Sequence, residues 1–366
     1  MSRRYVRVLA QCAPHPCRQT DRLPAVVMAS LWDDLESLVN TPSSFSAQPG
    51  ERGTIRDKAN FNAKEDAAAL RKAVKGLGTN EKVLIEVLTQ RSSAQRQQIC
   101  KAYQEAYSRI LVDDLKADVS GNFEKVLVAL ITPPAAYDCH EVTRAIKGLG
   151  TKESVLIEIF ASRSNQQIKA LSDVYVQEKG KLLIDHLKSE VSGDFGKALL
   201  LLAAGKRDES TAVNAEKAKE EAKALYNAGE KRWGTDEAKF IEILCQRSVA
   251  QLRQTLVEYL NISGKTLQQS IESEMSGNLE KLLVAVVKCV KSVPIYLAER
   301  LYKSMKGVGT DENTVTRIMV SRSEIDLLDI RTEFKKLYNS SLHSFIQSDC
   351  HGDYGKTLVK ICGGED

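Results

Sequence analysis

Four short stretches carry the residue types from which a site for a hard cation can be assembled. They are Lys75-Gly76-Leu77-Gly78-Thr79-Asn80-Glu81, Lys147-Gly148-Leu149-Gly150-Thr151-Lys152-Glu153, Lys231-Arg232-Trp233-Gly234-Thr235-Asp236-Glu237 and Lys306-Gly307-Val308-Gly309-Thr310-Asp311-Glu312. Two glycines around one residue let the backbone turn sharply between helices, and such a turn can aim successive carbonyl oxygens into one space. Forty-two residues after Gly76, Gly148, Arg232 and Gly307 a carboxylate follows each time: Asp118, Glu190, Glu274 and Asp349. Carbonyls plus one carboxylate suit Ca²⁺, which takes about six to eight oxygens at flexible angles, better than Mg²⁺, which demands a tight octahedron. Zinc would want histidine or cysteine, and neither recurs here.

One acid per site predicts weak individual affinity, because ligand charge tunes calcium binding. Water or an outside anionic oxygen, such as a lipid phosphate, would complete the coordination shell. Lys75, Lys147, Lys231 with Arg232, and Lys306 stand beside the turns and can meet the same headgroups, at roughly 1 kcal/mol each near an anionic surface. Four weak sites on one face act together through effective concentration, so membrane binding steep in calcium is expected. Trp233 lies at the tip of the third turn between polar neighbours, and we expect it to enter the lipid interface when calcium binds, a depth that aromatic residues favour. Taken singly, each glycine turn also reads as an ordinary helix terminator. Four turns with acids at one fixed offset argue against that alternative.

The elements that must position these turns repeat with them. The equivalent positions are spaced by 72, 84 and 75 residues, the signature of a repeat architecture. An arginine followed by serine stands fifteen residues after each: Arg91-Ser92, Arg163-Ser164, Arg247-Ser248 and Arg322-Ser323. We read these pairs as structural, a helix cap beside a buried or partner-bonded arginine. Asn62 can cap a helix through Ala67, Leu70 and Val74; Thr79 is expected to cap the next, with Val83, Leu84, Val87 and Leu88 as its buried stripe. Ser92 with Gln95 forms a capping box, repeated at Ser164 with Gln167 and Ser248 with Gln251, whereas Ser323 has Asp326 in that place. A short fourth helix precedes Asp118. A fifth runs from Asn122 through Val126, Leu127 and Leu130 to Pro133-Pro134. The expected fold is all-α, with four repeats of five helices each and no strand pattern. The longer middle step places a polar surplus at Gly205 to Thr211, the expected joint between two halves of two consecutive repeats. The expected organisation is an N-terminal extension and linker over 1–56, partly disordered; repeats over 57–132 and 133–204; a linker over 205–216; and repeats over 217–291 and 292–366.

Composition fits this reading. At 366 residues, 43% hydrophobic and 27% charged, the chain has the makeup of a soluble globular protein with a large core. A net charge of +4 gives no case for nucleic acid, and no apolar run is long enough to span a bilayer. Eight cysteines without regular spacing suit reduced thiols in a cytosolic protein. Residues 1–27 carry Arg3, Arg4, Arg7, Arg18 and Arg22 with no acid before Asp21 and match a transit peptide in charge only. We read them as a disordered tail or an extension from a start upstream of Met28. Leu31, Trp32, Leu35 and Leu38 suggest a short amphipathic helix, followed by the breaker-rich Thr41-Pro42-Ser43-Ser44.

The lysine–glycine–any–glycine–threonine pattern, with an acid 42 residues after the first glycine, is similar to the endonexin signature of the annexin family, and the resemblance covers about residues 50–366. It implies four five-helix repeats forming a curved disk, calcium sites on the convex face and the N-terminal segment on the concave one. The implied carbonyl ligands are Val74, Gly76 and Gly78; Ile146, Gly148 and Gly150; Gly229, Arg232 and Gly234; and Met305, Gly307 and Gly309. The implied bidentate acids are Asp118, Glu190, Glu274 and Asp349, with Thr79 and Glu81 at a secondary calcium position. Two residues depart from the pattern: Lys152 adds positive charge beside the second site, and His351 replaces a serine or threonine beside Asp349. The implied function is calcium-dependent binding to anionic phospholipid membranes by a non-enzymatic, cytoplasmic protein that becomes peripheral on membranes when calcium rises. Roles in membrane organisation, trafficking or exocytosis, phospholipase A2 inhibition and a protein partner at the N-terminal segment accompany it. Two other classes compete. A protein-binding scaffold of stacked helices would bind without calcium or lipid. A metal-dependent phosphodiesterase would need a base or nucleophile beyond the one acid per repeat.

Overall fold

The computed structural model describes residues 34–39, 41–75, 78–147, 150–230 and 234–364. The expectations for residues 1–27, and for Leu31 and Trp32, fall outside them. Residues 34–39 are helical, with Leu35 buried and Leu38 half-buried, as the apolar spacing there predicts.

Among the described residues a 3-10 turn at Ser44–Ser46 and then twenty α-helices follow, the latter in four sets of five. The first set is α1 (Ala63–Val74), α2 (Glu81–Thr89), α3 (Ser93–Tyr107), α4 (Leu111–Asp118) and α5 (Gly121–Ile131). The second is α6 (Pro134–Ile146), α7 (Glu153–Ser162), α8 (Asn165–Lys179), α9 (Leu183–Glu190) and α10 (Gly193–Ala203). The third is α11 (Ala215–Ala228), α12 (Glu237–Gln246), α13 (Val249–Ser263), α14 (Leu267–Glu274) and α15 (Gly277–Lys291). The fourth is α16 (Val293–Met305), α17 (Glu312–Arg322), α18 (Leu327–Tyr338), α19 (Leu342–Asp349) and α20 (Gly352–Cys362). No strand occurs among the described residues.

One core position recurs at the repeat spacing on the second helix of each set. Leu84, Leu156, Phe240 and Val315 are all fully buried, so the repeat conserves a place in the core while the volume filling it varies. Packing between repeats is not in chain order. The second and fifth helices of the second repeat (α7, α10) lie against those of the third (α12, α15), and α2 and α5 of the first lie against α17 and α20 of the fourth. The closely packed pairs are therefore repeats two with three and one with four. The polar run 205–211 bridges a tight pair, which corrects its reading as the joint between two halves of consecutive repeats.

The capping expectations hold in part. Asn62 accepts from Lys64 N and Glu65 N, and the boxes at Ser92–Gln95 and Ser164–Gln167 are complete. Ser248 caps α13, but the Gln251 amide turns to the backbone of Asn214 instead of closing the box. The second helix is capped by the residue after the threonine: Asn80, Asp236 and Asp311 accept the N–H three residues on, so Thr79 is not the cap. At that position Lys152 leaves α7 without a side-chain cap.

The arginine after each second helix explains why the fourth repeat differs. Arg91 forks onto Asp66 and Arg163 onto Asp138, each acid 25 residues upstream on the first helix, while Arg247 reaches Glu221. The fourth repeat has buried Leu297 at the corresponding place. Asp326 takes over instead, forking onto Arg322 at 2.7 Å on both sides, and so cannot serve with Ser323 as a capping box. A further buried cluster joins repeats two and four. Glu158 accepts from Arg317 at 2.7 and 2.8 Å and from Arg300 at 3.0 Å, and Glu141 accepts from Arg317 at 3.2 Å.

The segment before the first repeat is tied to three repeats. Arg253 of α13 donates to Leu38 O and Thr41 O at 2.9 and 2.6 Å. Thr54 and Ile55 donate their N–H groups to Ser323 O at 2.7 and 3.0 Å, and Lys58 N donates to Gln95 Oε1 at 2.9 Å. Gly53 passes so close to Glu324 that a Cβ there would lie 2.5 Å from its carbonyl carbon. Ser323 sits at the far end of α17 from the glycine turn. At ~1.5 Å per residue the segment and that turn are separated by roughly the length of one short helix.

Candidate functional site

Each glycine turn is closed by the same backbone bond. The residue after the threonine donates its N–H to a carbonyl at the end of the preceding helix: Asn80 to Ala73 (3.0 Å), Lys152 to Ala145, Asp236 to Ala228 and Asp311 to Ser304 (2.8 Å each). The third link spans one residue more than the others, which is the extra length that Gly229 begins. Gly78, Gly150, Gly234 and Gly309 have φ of 90°, 88°, 82° and 88°, a left-handed conformation that side chains with a Cβ resist. Glycine is needed there for the turn itself.

The acids approach from a second turn. Asp118, Glu190, Glu274 and Asp349 are each the last residue of the fourth helix, and Gly121, Gly193, Gly277 and Gly352 open the fifth three residues later with φ of 62° to 74°. The two turns meet through the threonine. Thr79 Oγ1 donates to Asp118 Oδ2 at 2.5 Å and Thr310 Oγ1 to Asp349 Oδ2 at 2.5 Å. In the third repeat Thr235 Oγ1 donates to the Glu274 backbone carbonyl at 3.2 Å and not, among the described residues, to its carboxylate. The second repeat differs. Glu190 faces His186 Nε2 at 3.8 Å, and His186 Nδ1 contacts the Tyr175 hydroxyl. Burial lowers the His186 pKa, with Lys181 and Lys147 adding to the effect and Glu190 opposing it.

The first and fourth sites open into one polar cleft of about 560 Å³, where Glu81, Asp118, Glu312, Asp349 and Asp353 stand together between the two repeats. Among the described residues no group of three or more His, Cys, Asp or Glu side chains is placed to hold a metal. A cation there would have to draw on backbone oxygens, which is the donor set of a hard ion.

The other singled-out residues fall as follows. Val74, Ile146 and Met305 end α1, α6 and α16; Ile146 and Met305 are buried and Val74 half-buried, so their backbone carbonyls are the groups left for the turn. Gly229 caps α11. Lys75, Lys147 and Lys306 are exposed, and the Lys306 ammonium stands 5.1 Å from the Tyr302 ring centroid. Gly76, Gly148, Arg232 and Trp233 lie outside the described residues. Val308, at the tip of the fourth turn, is fully exposed. Sequence reasoning singled out Trp233 and passed over Val308, although it holds the same offset in its own turn. No described helix is long and apolar enough to cross a membrane.

A family model described as Annexin matches residues 65–130, 137–202, 220–286 and 296–361. Human Annexin A3 is 57% identical over 317 residues, covering 87% of this chain and 98% of the relative. The solved structure titled annexin III superposes with a TM-score of 0.85 at 57% identity, covering 87% of this chain and 99% of its own. The structure titled calcium-bound annexin (Sm)1 superposes with a TM-score of 0.76 at 36% identity, covering 89% of this chain and 97% of its own.

Proposed function

The chain belongs to the annexin family, and on that premise we propose that it binds anionic phospholipid membranes in response to calcium. The observation that carries the reading is the threonine bridge, which brings Asp118 and Asp349 onto the turns that end at Gly78 and Gly309. Each site would combine the acid with turn carbonyls: Val74, Gly76 and Gly78 with Asp118; Ile146, Gly148 and Gly150 with Glu190; Gly229, Arg232 and Gly234 with Glu274; Met305, Gly307 and Gly309 with Asp349. Thr79 and Glu81 would form a secondary position. Bound calcium would supply the positive charge that links these oxygens to a lipid phosphate. Lys75, Lys147 and Lys306 would add long-range attraction to the anionic surface, while Val308 and Trp233 would enter the interface.

The sites should not be equal. The first and fourth have their acids drawn onto the turn and share an acidic cleft, whereas the second has its acid beside His186 and a lysine at 152. From coverage of the lipid surface would follow membrane organisation, trafficking or exocytosis, and phospholipase inhibition by masking substrate, without catalysis by the chain itself. The protein would be cytoplasmic until calcium rises, and its N-terminal segment would be available to a protein partner. Co-sedimentation with phosphatidylserine vesicles across calcium concentrations tests the reading. The wild-type chain should pellet with calcium, and a variant with Asp118, Glu190, Glu274 and Asp349 all changed to alanine should stay in the supernatant. Pelleting of that variant at the same calcium would refute the proposal.

A further inference from the structure

A cavity of about 660 Å³ lies away from the glycine turns, between repeats two and three and beneath the N-terminal segment. Its size falls within the ~300–1,000 Å³ usual for small-molecule pockets. One wall is aliphatic and aromatic, formed by Phe45, Phe160, Ile168, Leu202 and Val249. Arg207 and Arg253 also line it.

Neither arginine pairs with a carboxylate among the described residues. Arg253 spends its donors on oxygens of Leu38, Thr41, Val290 and Lys291. Among the described residues the Arg207 guanidinium makes one hydrogen bond, from Nη1 to Arg247 O at 2.8 Å, so four of its five N–H donors have no partner there. Burial with no carboxylate partner lowers its pKa. The residue is held in place from both sides: the Asn165 side-chain amide bonds both its N–H (3.1 Å) and its carbonyl (2.8 Å), and Asp208 N donates to Gln246 O at 3.1 Å. The nearby acids Asp208 and Glu209 are exposed at the rim, and Asp208 accepts from Ser210 N at 2.8 Å. A rigidly mounted cation with unused donors, facing an apolar enclosure, is complementary to a ligand with one anionic head and one hydrocarbon tail.

We propose that this cavity binds a long-chain carboxylate, the head on Arg207 and the tail along the Phe160 and Val249 wall. Binding would need no calcium and is therefore separable from the function proposed above. The test is isothermal titration calorimetry of the full chain with submicellar dodecanoate in the presence of EGTA, with butyrate as the tail-less anion. One dodecanoate should bind per chain and butyrate should not. Arg207→Gln should weaken dodecanoate at least tenfold, the scale of a lost charge-assisted hydrogen bond, and Ala250→Trp, which fills the cavity, should abolish binding. Calcium-dependent vesicle sedimentation should be the same for both variants and wild type, showing that they fold. Absence of dodecanoate binding to the wild-type chain, equal affinity for butyrate, or unchanged affinity in Arg207→Gln would each overturn the proposal.

Discussion

Changing Glu158 to glutamine should expose how much the buried charge cluster holds repeats two and four together. Glu158 is fully buried and meets Arg317, itself buried, at 2.7 and 2.8 Å, with Arg300 at 3.0 Å. Burial alone would raise its carboxyl pKa, but the charge and hydrogen bonds of Arg317, with Arg300 and Arg163 behind, outweigh burial and hold it at about 2, against an ordinary 4.5. The glutamine variant keeps the shape and removes the charge, leaving the partly buried Arg300 without its anion and the buried Arg317 with Glu141 alone. Breaking a buried pair in this way costs about 3–5 kcal/mol. The depressed pKa gives a similar figure, because about two and a half pH units at ~1.4 kcal/mol each make about 3.5 kcal/mol. That is a large part of the roughly 5–15 kcal/mol that holds a domain together. The pH dependence has a definite sign. A carboxyl whose folded pKa is depressed contributes its full stability above 4.5 and loses it as pH falls toward 2. Urea denaturation of both proteins should therefore show a difference of about 3 kcal/mol at pH 7 that shrinks by roughly 2 kcal/mol between pH 5 and pH 3. A difference under about 0.5 kcal/mol at pH 7, or one that stays constant with pH, would refute this account of the cluster.

Lys152→Asp should restore the cap that α7 lacks and raise stability by about 1 kcal/mol, read as a higher urea midpoint at unchanged slope; an unchanged midpoint would remove the cap argument. Val308→Asp should leave the urea midpoint within about 0.5 kcal/mol, since the side chain touches no core, yet raise the calcium needed for vesicle binding. If calcium-dependent binding is the same as wild type, the tip of the fourth turn does not enter lipid.

The four-fold architecture was legible because glycine, arginine and acid recur at offsets that only a repeated fold can satisfy, and the apolar stripe around Leu84 reappears at Leu156, Phe240 and Val315. What sequence reasoning placed wrongly depended on partners far along the chain. Thr79 has the chemistry of a helix cap, but its hydroxyl is taken by Asp118 and the capping passes to Asn80. Ser323 with Asp326 already departs from the box in sequence, and no box forms there: buried Leu297 stands where the other repeats have an acid for this arginine, and Asp326 bonds Arg322 instead. The polar run at 205–211 looks like a joint between halves when read along the chain, yet α10 before it packs against α12 and α15 after it. Lys152 was read as a charge change and is also a missing cap. The threonine bond to the acid, made at Asp118 and Asp349 and not, among the described residues, at the Glu190 or Glu274 carboxylates, had no sequence signal beyond the offset of 42, which all four share.

In the proposed function each acid works together with its glycine turn to hold calcium against lipid. The most direct measurement is the calcium midpoint for binding phosphatidylserine vesicles in two paired variants, Asp118→Asn with Asp349→Asn and Glu190→Gln with Glu274→Gln. Both keep the side-chain shape and remove the charge. Higher midpoints are expected for both pairs, with the larger shift in the first, whose acids are already drawn onto their turns. Wild-type midpoints in both pairs would contradict the proposed function.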